Sequence, residues 1–233
     1  MKKIEPETSR SGNMLLYILG AIFLLGLLIV LVKGSFQEGT GIDADKVVLS
    51  ATQVQQYASE LERGVSYVMQ NGVSEADLRF AATGASAIYG VYSDTTSMVF
   101  APSGGGVEYK SPPTGINDGT KWAFYGTTHL TDIGTDTAGS QKAELVAVLP
   151  RVTQAFCDQV NRNVKQTIDL AQITDPSANG CVFTSGEEFA GTFRSGAAVN
   201  LLDDAKVSKL PAREACVRCD NGTFNYYRVL MAR

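Results

Sequence analysis

The sequence predicts an α+β protein in which an N-terminal apolar helix and an amphipathic helix precede a sheet-rich head. Three observations carry this. Residues 14–32, MLLYILGAIFLLGLLIVLV, form an uncharged run of 19 residues. Between 43 and 72, Val47, Ala51, Val54, Ala58, Leu61, Val65 and Val68 recur at spacings of four and three, the period of a helix with one buried stripe. From Ala81 onward the pattern shortens into runs of aromatic and β-branched residues broken by glycine, asparagine and proline, which read as antiparallel strands.

The leader, residues 1–13, is polar and carries Lys2, Lys3 and Arg10. At 1.5 Å per residue the run behind it would rise roughly 28 Å, about a bilayer's hydrocarbon core, so a transmembrane helix over 14–32 is expected. The basic leader would stay in the cytoplasm. The expectation is a single-pass protein of the inner (cytoplasmic) membrane with its C-terminal domain periplasmic or extracellular. The run exceeds the apolar core of a cleaved signal peptide and no A-x-A-like site follows it. Gly12 and Asn13, at the junction of leader and run, form a possible processing site instead.

Residues 33–42 contain three glycines and read as a linker. Asp43 can cap the amphipathic helix and Asn71-Gly72 can end it. Val48, Tyr57 and Met69 widen its seam beyond a coiled-coil stripe. Two alanines and Gly64 suit close contact with a sheet, so packing of the helix on its own domain is expected.

The head domain covers 73–233. Strands are expected at 87–92, 98–101, 107–110, 121–125, 145–149, 181–184, 189–193 and 224–231. Pro102-Ser-Gly-Gly-Gly106 reads as a hairpin connection; it lacks the following Lys-Ser/Thr of a phosphate loop. Pro150 should stop the 145–149 strand, and a helix over 151–166 is expected from Val152, Phe156, Val160 and Val164. Phe224–Met231 has large residues on both alternating faces, which predicts a strand inside the sheet.

Cys157, Cys181, Cys216 and Cys219 are all in the last third of the chain. Their even number predicts disulfides, with three pairings open. Cys216-Val217-Arg218-Cys219 could alternatively be half of a zinc site, but Cys157 and Cys181 do not form the second close pair that zinc ribbons supply.

Other chemistry is sparse. With 20 basic against 24 acidic residues and a net charge of −4, there is no basic stripe for nucleic acid. The single histidine, His129, has no sequence neighbour that would complete a triad or ligand set. Asp132, Asp136, Asp203 and Asp204 do not match the spacing of an EF-hand loop. Ser103 and Ser185 lack a nucleophile-elbow context, and Asn221-Gly-Thr223 doubles as a turn and a sequon. The expectation is no catalysis, no cofactor, no metal and no small-molecule substrate.

The order of basic leader, Gly12, apolar helix, amphipathic helix and cysteine-containing sheet domain resembles type IV pilins and the pseudopilins of type II secretion systems. The Ser-Gly-Asn start, the Ser-Gly-Gly-Gly segment at 103–106 and the Tyr-Tyr-Arg-Val-Leu-Met-Ala-Arg ending at 226–233 resemble a group of bacterial pilin-like proteins. The resemblance implies cleavage after Gly12, a structural role, and partners that are other pilin-like subunits, in homo- or hetero-oligomers, besides the membrane. After such cleavage Tyr17 stands fifth, where major pilins place a glutamate, which implies a minor or atypical subunit. The competing expectation is a membrane-anchored periplasmic or extracellular domain that binds a partner protein or ligand.

Overall fold

The computed structural model describes residues 17–26, 40–90, 93–135, 137, 139–166, 181–183, 185–204 and 207–233. The chain divides into two compact units, Met1–Asp45 and Lys46–Arg233. In the first, residues 17–26 form helix α1, exposed along its whole described length. Its ten residues rise about 15 Å, half the thickness of a bilayer core. Among the described residues no helix is long and apolar enough to cross a membrane. The expected transmembrane helix over 14–32, and with it the single-pass placement in the inner membrane, is therefore corrected. Hydropathy counts apolar residues, whereas spanning needs a continuous helical rise, and that rise is described for ten residues only. Gly12 and Asn13 lie outside the described residues.

Helix α2 is Thr40–Gln70 and carries Asp43 in its first turn, where a negative charge favours the helix dipole. It ends at Gly72, whose φ of +87° is a left-handed conformation that glycine adopts without strain. Ala51, Val54, Ala58, Leu61, Val65 and Val68 are at most 2% exposed, and they share one core with Phe80, Trp122, Phe124, Leu145, Leu149 and Tyr226. The heptad seam is therefore satisfied within the domain. Gly64 faces the 99–107 loop, and a methyl there would run into Val107 and lie 3.3 Å from Val99 Cγ1.

The strands are β1 (Ala123–Tyr125), β2 (Thr128–Leu130), β3 (Leu145–Val152), β4 (Asn200–Leu202), β5 (Glu214–Arg218) and β6 (Phe224–Met231). Four of them form an antiparallel sheet in the order β1-β3-β6-β5, while β2 and β4 pair in parallel. β6 is interior, as its two apolar faces predict. Phe124, Leu145, Ala147, Leu149 and Tyr226 point to the α2 side. Tyr125, Val146, Val148, Val217, Tyr227 and Val229 point to a second core closed by Leu130, Ile133, Phe183 and Leu202.

Several expected strands are absent. Residues 87–89 form a 3-10 turn ended by Gly90 at φ +65°, and 98–101 and 107–110 belong to no named strand. Their apolar residues pack under α2, with Val107 N–H donating to the Val99 carbonyl at 3.2 Å; burial was legible there and ladder pairing was not. The 189–193 segment makes single backbone bonds to the β1 edge instead of a ladder. Pro150 does not stop β3. The register shifts between Leu149 and Val152, and Arg151 takes φ +53°, so the proline falls in a bulge, where its missing N–H breaks no ladder bond. Helix α3, Gln154–Val164, starts after Thr153, whose hydroxyl accepts from Phe156 N–H.

Candidate functional site

The four cysteines form two bridges, Cys157–Cys216 and Cys181–Cys219, which consumes every thiol and leaves no thiolates for zinc. The bridges point to an oxidising, extracellular or periplasmic compartment. Among the described residues no cluster of metal-ligating side chains occurs.

Cys157–Cys216 fastens α3 to β5, an outer strand of the sheet. Beside it, Asn161 turns its amide onto that strand. Cys216 N–H donates to Asn161 Oδ1 at 2.8 Å, and Asn161 Nδ2 donates to the Cys216 carbonyl at 2.9 Å. The amide thus occupies the place of a neighbouring strand on an otherwise unpaired edge. The opposite edge is covered too. Phe124 N–H donates to the Tyr89 hydroxyl at 2.7 Å, and Phe189 N–H donates to the Phe124 carbonyl at 2.7 Å. Each edge of the four-stranded sheet is thus capped at one residue, Cys216 on β5 and Phe124 on β1, by groups of this chain.

Cys181, bridged to Cys219, lines a groove of about 570 Å³ between the 119–125 segment, the 150–151 bulge and the 221–225 hairpin. Asn225 Nδ2 lies 3.0 Å from Cys181 Sγ and 3.1 Å from Cys219 Sγ. Its Oδ1 accepts from Arg151 N–H at 3.0 Å, so the bulge at Pro150 orients this amide. The sequence reading missed Asn225; its only signal was a polar residue in the middle of an apolar strand.

His129, read from sequence as a strand or loop residue without partners, is fully buried in β2 beside an equally buried Glu144. His129 Nδ1 lies 3.1 Å from the Lys142 carbonyl and 3.3 Å from Glu144 Oε1. Because the carbonyl only accepts, Nδ1 carries the proton. Leu130 N–H donates to Glu144 Oε2 at 2.8 Å. Burial pushes the Glu144 carboxyl up to about 7, against the opposing effects of Leu130 N–H and His129. Both side chains are 0% exposed, so this pair supports the 130–135 turn and reaches no solute.

Asn221 and Ser103 are turn residues, and Asp136 lies outside the described residues. Asn221 Oδ1 accepts from Thr223 N–H and Oγ1–H at 3.0 and 2.6 Å. Ser103 Oγ–H donates to Thr95 Oγ1 at 2.8 Å. Lying beside α2, a second groove of about 360 Å³ is lined by Tyr57, Glu60, Lys110, Pro112, Pro113 and Trp122. Trp122 is 2% exposed, and its Nε1 has no acceptor among the described residues. On the sheet surface, Arg228 joins Glu62 of α2 at 2.7 Å and Glu214 of β5 at 2.8 Å. No family profile, curated protein or solved structure matches this chain.

Proposed function

We propose that the chain is a structural, non-catalytic subunit, pilin-like and of a minor or atypical kind, that assembles through its N-terminal helix and displays the disulfide-fastened head. The observation that carries this reading is α1. Tyr17, Ile18, Leu19, Ile22, Phe23, Leu24 and Leu25 are all more than half exposed, and they surround the helix. A helix apolar on every side requires cover by other apolar surface, and helices of neighbouring subunits supply it. The buried His129–Glu144 pair and the oxidised cysteines offer no accessible acid, base or nucleophile.

Introducing Leu24→Asp places a charge on the apolar surface of α1, where Leu24 is exposed. Assembly, read by sedimentation and electron microscopy of the native protein, should be lost while head stability is unchanged. A variant that assembles as the wild type does would overturn the reading. Cleavage after Gly12 is a separate expectation, checked by mass analysis of the mature N-terminus.

A second reading, a head that binds a partner, is favoured by the groove at Trp122. An extended segment would lie on Tyr57, Pro112 and Pro113, with Glu60 and Lys110 in the same wall. Tryptophan fluorescence that does not respond to any candidate partner known to bind the chain would remove it.

A further inference from the structure

We propose that Cys181–Cys219 is a thiol-exchange site for dithiols entering the 570 Å³ groove, while Cys157–Cys216 is a closed staple. All four cysteines are at most 4% exposed, and the two bridges differ in what lies beside them. Cys157 and Cys216 belong to the main core with Phe156 and Tyr226. Cys181 is part of the groove wall, together with Arg151, Ser185, Glu188 and Asn225. Only the second bridge has a side-chain amide donor within 3.1 Å of both sulfurs. An N–H donor there stabilises a sulfur that is gaining negative charge, and a better-stabilised leaving thiolate departs faster.

The exchange balances as follows. The thiolate of the dithiol attacks Cys181 Sγ from the groove, forming a mixed disulfide as the Cys181–Cys219 bond breaks. Cys219 leaves as a thiolate, accepting the Asn225 Nδ2–H. The second thiol of the reagent loses its proton and attacks its own bonded sulfur, closing the reagent's disulfide and releasing the Cys181 thiolate. Two electrons pass to the protein, and two protons complete its cysteines. Arg151 N–H, by holding Asn225 Oδ1 at 3.0 Å, keeps the amide aimed at the bridge.

Native full-length protein is treated with dithiothreitol for increasing times, quenched with N-ethylmaleimide and mapped by peptide mass. Cys181 and Cys219 should label at least about tenfold faster than Cys157 and Cys216, because a dithiol in the groove meets the Cys181 wall and the Asn225 amide stabilises the leaving sulfur, whereas a bridge inside the main core reacts only through opening of the fold. Equal rates, or faster labelling of Cys157 and Cys216, would overturn the proposal. Global unfolding cannot mimic the expected result, since it exposes both bridges together. Asn225→Ala should slow labelling at Cys181 and Cys219 about tenfold, the loss of about one hydrogen bond in the transition state, with Cys157 and Cys216 unchanged. An unchanged rate at Cys181 removes the role of the amide. Where the variant opens both bridges at one rate it has lost its fold, and the wild-type ratio decides.

Discussion

Gly64→Ala tests whether the contact between α2 and the 99–107 loop is as close as the backbone requires. In an ordinary helix interior this change stabilises by roughly 1 kcal/mol, because alanine has less backbone entropy to lose. Here the sign reverses. The new methyl would collide with Val107 Cγ2, sit 3.3 Å from Val99 Cγ1 and reach the Gly105 carbonyl at 3.4 Å. Val107 is β-branched and stiff at χ1. The loop itself lies close on the helix: a Cβ built on Gly105 would stand 2.9 Å from Val99 Cα and 3.0 Å from the Gly64 carbonyl. Overpacking of this kind costs about 1–3 kcal/mol; set against the propensity gain of about 1 kcal/mol, a net loss of up to about 2 kcal/mol is expected. Urea unfolding with both disulfides intact should show a lower midpoint at unchanged slope. Val107→Ala removes the colliding methyl, so the double variant should be more stable than the sum of the two single changes, with a coupling of about 1–3 kcal/mol. A Gly64→Ala midpoint at or above the wild type, or additive variants, would refute the close approach.

Asn161→Ala leaves the N–H and C=O of Cys216 unpaired in a buried setting, which should cost about 2–4 kcal/mol. It also bares the β5 edge, so light scattering should become concentration-dependent; a monodisperse variant of wild-type stability would contradict the edge-cap role. Glu144→Gln addresses the buried carboxyl. Its folded value of about 7 exceeds the ordinary 4.5, so the folded state holds the proton more tightly. The corresponding stability is complete below about 4.5 and is lost as pH rises through about 7. Between pH 4 and pH 8 the wild type should therefore lose about 3 kcal/mol relative to Glu144→Gln, at about 1.4 kcal/mol for each pH unit between the two values. Since His129 is present in both proteins, its own titration largely cancels in the difference. A constant gap between the two stability curves would show that Glu144 is not held protonated.

The α2 stripe was legible because one face of a helix repeats every few residues, and six of its seven apolar positions are almost wholly buried. β6 was legible because both of its faces are apolar. The strands expected at 98–101 and 107–110 failed for a definite cause: aromatic and β-branched residues report burial, and burial under α2 needs no ladder. β5 escaped notice because Glu214-Ala-Cys-Val-Arg218 is short, and because its edge is completed by an amide on a helix more than fifty residues earlier. His129 looked solitary because Glu144 is 15 residues away along the chain, a distance closed only when the 130–135 turn brings β2 beside the start of β3.

By itself the sequence determined the α+β class, the buried stripe of α2, the interior place of β6 and the commitment of the cysteines to bridges. Each follows from local composition or period. Which cysteines pair, where Pro150 is tolerated and which groups cap the sheet edges were decided in the tertiary structure. Those outcomes depend on contacts between residues tens of positions apart, which the hydropathy of a window does not encode.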